Sequence, residues 1–333
     1  MKIEYNCSLL PWNTFGMDVK ARVFAQYASV SELCDLLTLF KGENLLHIGR
    51  GSNLLFTKDY DGVVLHSEIQ DVCSVDIDED LVCVRAGSGV IFDELVAQTV
   101  QRGWGGIENL SYIPGEVGAS AVQNIGAYGV EVKDVISRVY AVDVLTHEER
   151  VFGVDECRYA YRDSIFKNEL RGRYIITFVE FMLSKKPHLK LDYGNLKAAL
   201  SEHGNPSVAD VREAIISVRR QKLPEVSELG SAGSFFKNPV VSEDRFNHLQ
   251  SQYPNIPHYA ASDGVKIPAA WLIEQCGWKG KRHGGAQVYE KQPLVIVNKA
   301  EAKPQDIIDL AEEIRKSIKS KFNIEINPEV NYI

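Results

Sequence analysis

The sequence predicts an α+β protein, on three observations. Helical and strand-like apolar periods both occur, without the steady alternation that a doubly wound sheet needs. A glycine-rich, charge-poor stretch from 102 to 128 has almost no usable period, and an ordered functional loop explains it better than a linker does. The 333 residues are 45% hydrophobic and 25% charged, an ordinary globular composition with room for two or three domains.

Taken in order, Ser29-Val-Ser-Glu32 is a capping box, and Leu33, Leu36, Leu37 and Phe40 continue it at helical spacing until Gly42. The apolar run 45–48 predicts a buried strand that leads into Gly49-Arg-Gly-Ser-Asn53, with Leu54-Leu-Phe56 and a strand at 63–65 beyond it. Runs 72–77 and 81–86 predict a hairpin around Asp78-Glu-Asp80, and 92–101 fits a helix. Strands follow at 135–145 and 174–183. Ser207 then caps a helix whose Val208, Val211, Ile215 and Val218 share a face, and Pro224 ends it. In the last third, helices over 269–276 and 305–319 follow Pro268 and Pro304, with strands expected at 294–297 and 323–326.

The net charge of −8 and the interspersed charges argue against nucleic acid or an anionic membrane surface as the main partner. The cysteines at 7, 34, 73, 83, 157 and 276 form no CxxC pair and no Cys/His cluster, so no metal and reduced, structural thiols are expected. Residues 1–14 lack a signal-peptide pattern, and no run approaches ~20 apolar residues. A cytoplasmic protein without membrane insertion is expected, and a monomer.

Two loops could hold a ligand. Gly49 to Asn53 lacks the third glycine of a dinucleotide fingerprint, because Leu54 stands there. Its small residues expose backbone N–H groups, and Ser52 and Asn53 add side-chain donors, which suits a pyrophosphate; an ordinary tight turn is the alternative. The second loop runs Ser111-Tyr-Ile-Pro-Gly-Glu-Val-Gly-Ala119 and Val122-Gln-Asn-Ile-Gly-Ala-Tyr-Gly129. Its glycines admit a flat ligand, and Gln123 and Asn124 offer donors and acceptors; a structural Ω-loop is the alternative.

Asn13-Thr-Phe-Gly16, the 49–53 loop and Ile113-Pro-Gly…Gly118…Gln123-Asn-Ile-Gly-Ala-Tyr-Gly129 together resemble the UDP-N-acetylenolpyruvoylglucosamine reductase family, over about residues 13–329. The resemblance implies an FAD-binding domain of the vanillyl-alcohol oxidase/PCMH type, with subdomains at 1–70 and 71–206. It also implies a smaller α+β substrate-binding domain at 207–303 and a C-terminal helix and strand, 304–333, returning to the active site. The implied activity is NADPH-dependent reduction of UDP-N-acetylglucosamine enolpyruvate to UDP-N-acetylmuramate through non-covalent FAD. The implied FAD contacts are Gly49, Arg50, Gly51, Ser52, Asn53, Ser111, Ile113, Pro114, Gly115, Gly118, Ala119, Gln123, Asn124, Gly126, Tyr128 and Gly129. No task for the Arg50 charge follows from the sequence.

Reducing an enol ether conjugated to a carboxylate calls for a proton donor, partners for the developing negative charge and a rigid flavin. By resemblance, Gly230-Ser-Ala-Gly-Ser-Phe-Phe-Lys-Asn-Pro239 makes Ser234 the proton donor, with Lys237 or a water able to assist it. Tyr161-Arg162 places a guanidinium on the substrate carboxylate. Pro328-Glu329 supplies a protonated or hydrogen-bonding carboxyl beside the enol, because an ionised one would repel it. Tyr193 is implied as a mobile diphosphate contact, and Lys222, Asn238, Gln292 and Tyr161 as further substrate contacts. A flavin oxidase and a non-catalytic nucleotide-binding module are the rivals. The Ser234 segment and Pro328-Glu329 speak against the first, and the joint presence of Ser234, Arg162 and Glu329 against the second.

Overall fold

The computed structural model describes residues 1–192, 196–201, 204–261 and 263–333, so the expectation for Tyr193 lies outside the described residues. The chain divides into two compact units. The first comprises Met1–Cys7, Lys20–Arg50 and Tyr60–Arg219; the second comprises Ser8–Val19, Gly51–Asp59 and Arg220–Ile333.

In the first unit, the strand Tyr60–Ser67 runs parallel to both Lys20–Tyr27 and Leu45–Ile48. Its residues Val63 to Ser67 are all buried, as a central parallel strand requires. The helix Val30–Leu39 turns Leu33, Leu36 and Leu37 onto this sheet, against Val23, Ala25, Val63 and Leu65. Ser29 caps it as expected, its Oγ accepting the Glu32 N–H at 3.1 Å, but the reciprocal bond of a capping box goes one residue further back: Glu32 accepts the Ala28 N–H rather than that of Ser29.

A second sheet is antiparallel, in the order Glu149–Gly153, Ile136–Asp143, Tyr174–Ser184, Leu81–Gly87, Val72–Asp76. The expected hairpin is its last pair. The helix Phe92–Gln101 adds Phe92, Leu95 and Val96 to this core. The stretch expected to be loop contains a further helix, Val117–Gln123. Val117, Gly118, Ser120 and Ala121 are all buried, so small residues rather than an amphipathic stripe mark it, and periodicity cannot detect it. At Gly118 a Cβ would lie 2.8 Å from the Ser88 Cβ, so this helix approaches its neighbour at a distance that only glycine allows.

The second unit has a four-stranded sheet, Gly230–Ser234, Val295–Asn298, Ala286–Val288, Arg282–His283. The helix Pro304–Phe322 buries Ile307, Leu310, Ile314, Ile318 and Phe322. Residues 323–326 form no strand, which corrects the sequence expectation. Ile324 and Ile326 are buried and Glu325 is exposed, so the alternation is real, but nothing pairs with it. The terminal strand is Asn331–Tyr332, parallel to Leu54–Leu55. No disulfide links any of the six cysteines, and among the described residues no helix is long and apolar enough to cross a membrane.

Candidate active site

In the second unit, Gly51 takes φ +63°, and a Cβ there would lie 2.1 Å from the Trp12 carbonyl oxygen, so the loop can close only on glycine. Asn13 builds the turn beneath it. Its Nδ2 donates to the Leu9 and Met17 carbonyls at 2.7 and 2.9 Å, and its Oδ1 accepts the Met17 N–H. Asn13-Thr-Phe-Gly16 is therefore scaffold: Thr14 bonds Gly51, and its carbonyl accepts the Ser231 N–H. Asn53 donates to the Glu329 carbonyl at 3.2 Å, tying the loop to the C-terminal segment.

In the first unit, a Cβ on Gly49 would stand 3.0 Å from Glu116 Oε2 and 3.5 Å from the Ala119 Cβ. Glu116 and His66 are buried, and His66 Nε2 sits 3.0 Å from Glu116 Oε1. Burial pushes the Glu116 carboxyl up, against the opposing pull of His66 and Arg50. This pair escapes sequence reasoning because its members lie 50 residues apart and nothing local joins His66 to the loop that carries Glu116.

The second loop is held by hydrogen bonds to residues before and after it in the chain. Ser111 is buried and its hydroxyl donates to the Glu108 carbonyl, so it braces the loop. Ile113 packs on the core, and Gly115 and Gly129 adopt φ +117° and +79°. Tyr128 is also left-handed, and its carbonyl accepts Asn109 Nδ2. Asn124 is held by three hydrogen bonds of its side chain. It ends the helix in the left-handed region at φ +47°, with both amide N–H groups directed within the protein, to the Ala160 carbonyl and to Glu131, while its Oδ1 accepts the Lys133 N–H.

Tyr112, at φ +61°, donates its backbone N–H to Asp93, which also receives the Arg212 fork at 2.6 and 2.9 Å. Arg219, largely buried, donates to the Tyr112 carbonyl. Burial pushes the Asp93 carboxyl up, but the Arg212 fork and the Tyr112 N–H outweigh it and hold the carboxyl below the usual range. The folded-state value is therefore the lower one, and the link stabilises the fold above about pH 4 and weakens as pH falls through that range. Asp93→Asn is expected to cost about 1–3 kcal/mol at pH 7, and the deficit should shrink towards pH 3 in thermal unfolding. An undiminished deficit at pH 3 would contradict the linkage.

Arg162 sits at the corner of a tight turn closed by reciprocal hydrogen bonds between Ala160 and Asp163, at φ +55°. Its guanidinium donates to the carbonyls of Gly126 and Asn124 and lies 5.3 Å from the centre of the Tyr161 ring. A Cβ on Gly126 would come 2.8 Å from Arg162 Nη1, so that glycine makes room for the arginine.

In the second unit, Ser234 ends the strand Gly230–Ser234 after a register shift against Val295–Asn298, where Gly233 takes φ +67°. Such a bulge re-aims the residue that follows it. The next residue, Phe235, accepts the Glu329 N–H at 2.8 Å, and Phe236 pairs with Pro328, so Ser234 and Glu329 lie on stapled segments. Phe235 and Phe236 are fully buried, with centroids 5.1 Å apart, and anchor the exposed Ser234. Asn238 accepts the Ala269 N–H and so caps a helix, and Gln292 sits in the turn before Val295. Lys222 is the exposed last residue of the helix Val208–Lys222.

Residues 224–333 match the model of the UDP-N-acetylenolpyruvoylglucosamine reductase C-terminal domain, and residues 21–152 match an FAD binding domain. UDP-N-acetylenolpyruvoylglucosamine reductase of Bacteroides fragilis is 51% identical over 99% of this chain and 100% of its own length. The Porphyromonas gingivalis protein of that name is 45% identical over the full length of both chains. The fold is similar to that of the Thermus caldophilus reductase, with a TM-score of 0.70 at 22% identity over 100% of this chain and 99% of that one. It is also similar to 6-hydroxy-D-nicotine oxidase from Arthrobacter nicotinovorans, with a TM-score of 0.58 at 13% identity over 97% of this chain and 86% of that one.

Proposed function

This chain belongs to the UDP-N-acetylenolpyruvoylglucosamine reductase family, and on that premise we propose that it reduces UDP-N-acetylglucosamine enolpyruvate to UDP-N-acetylmuramate with electrons from NADPH. It is an FAD-dependent oxidoreductase of peptidoglycan synthesis. This reading gives the phosphates of the cofactor to the backbone N–H groups of the 49–53 loop, which turns through the left-handed Gly51. FAD held there would supply hydride chemistry, with NADPH as the source of its electrons.

The protein's own residues do the rest. Arg162 binds the substrate carboxylate, and its charge offsets the negative charge that builds there as the double bond is reduced. Glu329 stands beside the enol as its hydrogen-bonding partner. Ser234 gives its proton to the adjacent carbon, completing the addition of one hydride and one proton across the double bond, and Lys237 or a water restores the serine hydroxyl. Lys222, Asn238, Gln292, Tyr161 and Tyr193 hold the sugar nucleotide. The observation that carries this reading is the bulged Ser234 strand stapled through Phe235 to the Glu329 segment.

No separate nicotinamide-binding fold is part of this reading: NADPH and the sugar nucleotide bind alternately, in a cytoplasmic monomer. Initial-rate plots against both substrates are then expected to give parallel lines, with inhibition at high substrate concentration. Intersecting lines would refute alternate binding.

A further inference from the structure

The segment 160–168 is strapped to the end of the helix Val117–Gln123 by a dense set of polar contacts. Ser164 Oγ donates to the Val122 carbonyl at 2.7 Å, and Asn124 Nδ2 donates to the Ala160 carbonyl at 2.7 Å. Arg162 reaches the Asn124 and Gly126 carbonyls from the other side. At the centre is Lys167, whose Nζ donates to Gln123 Oε1 at 2.7 Å and to the Arg162 carbonyl at 3.0 Å. Neither the motifs nor the reaction chemistry assigns this lysine a task.

Two consequences follow from donor and acceptor chemistry. An ammonium has three donors and no acceptor, so it fixes which end of the Gln123 amide faces it: the oxygen turns towards Lys167 and the NH2 group points away. The same ammonium holds the carbonyl of a residue in the left-handed region, where an arginine is strained, and so sets the direction from which the Arg162 side chain starts. One charge thus orients an amide of the flavin loop and the backbone of the carboxylate-binding arginine together.

We infer that Lys167 is a positioning residue that locks Arg162 and Gln123 into one geometry, so that the substrate carboxylate is held in register with the flavin loop. The inference rests on the role given to Arg162 under the proposed function.

The test is equilibrium binding without turnover: UDP-N-acetylglucosamine enolpyruvate titrated into oxidised, FAD-loaded enzyme, followed through the visible flavin band. Lys167→Met is expected to weaken binding roughly 10- to 100-fold, the scale of a misplaced binding group, and to shift the flavin band. Lys167→Arg, which keeps a cationic donor, should recover most of the affinity. Arg162→Ala combined with Lys167→Met should bind no more weakly than Arg162→Ala alone, because Lys167 acts through the arginine. Additive losses, wild-type affinity in Lys167→Met, or no recovery in Lys167→Arg would overturn the inference.

Should Lys167→Met fail to retain FAD, the FAD dissociation constants decide: loss in both variants marks a merely structural lysine and overturns the inference, whereas retention in Lys167→Arg supports it. If Arg162→Ala alone binds substrate like wild type, the role given to Arg162 fails, and this inference with it. If Arg162→Ala is impaired and Lys167→Met is not, only the inference fails.

Discussion

Ser234→Ala is expected to slow reoxidation of the reduced enzyme by UDP-N-acetylglucosamine enolpyruvate by roughly 10²- to 10⁴-fold, the usual contribution of a positioned proton donor. Flavin reduction by NADPH should be unchanged, because that step needs no proton on the substrate carbon. Stopped-flow spectroscopy separates the two steps. The fold is expected to tolerate the change: Ser234 is exposed, and the buried Phe235 and Phe236 hold the strand end. Equal loss in both half-reactions would refute the assignment, since it would point to a disturbed flavin site. Substitution of Gly233 makes a useful contrast. Its φ of +67° resists a side chain although nothing crowds it, so Gly233→Ala should disturb the bulge, and with it Ser234, through backbone strain alone.

Arg162→Ala is expected to lower kcat/KM for the enolpyruvyl substrate by roughly 10²- to 10³-fold, comparable to removing one oxyanion-stabilising donor. Arg162→Lys should restore only part of it, because an ammonium cannot reproduce the planar fork that the Gly126 and Asn124 carbonyls orient. The kinetic signature is loss in both kcat and KM for this substrate, with KM for NADPH preserved. A variant whose NADPH step fell equally would show that Arg162 braces the loop rather than binding the carboxylate.

Much of the fold is legible in the sequence. The Ser29 N-cap, the 92–101 helix and the hairpin at 78–80 each carry a local signal, and local signals survive into the fold. The α+β class also holds, although the parallel pairing of Tyr60–Ser67 with two strands that both precede it in sequence leaves no mark on any one segment. The helix Val117–Gln123 was illegible because its residues are small and buried, so no polar stripe exists to set a period. The alternation at Ile324 and Ile326 was legible and misleading, because burial of alternate residues does not require a ladder partner.

The site divides in the same way. Ser234, Arg162 and Glu329 stand in motifs, and motifs carry them. Lys167, Asp93, Arg212 and the His66–Glu116 pair act on residues that the chain brings near only on folding, between 5 and 119 positions away. Asn124 shows the converse hazard: a polar residue within a ligand-binding motif whose amide serves the loop's own geometry.

The central claim is tested most directly by an anaerobic visible spectrum of the FAD-loaded protein, first with NADPH and then with UDP-N-acetylglucosamine enolpyruvate. The flavin band is expected to bleach with NADPH and to recover when the sugar nucleotide is added, with no oxygen present. A band that bleaches but recovers only when air is admitted would contradict the account and favour an oxidase.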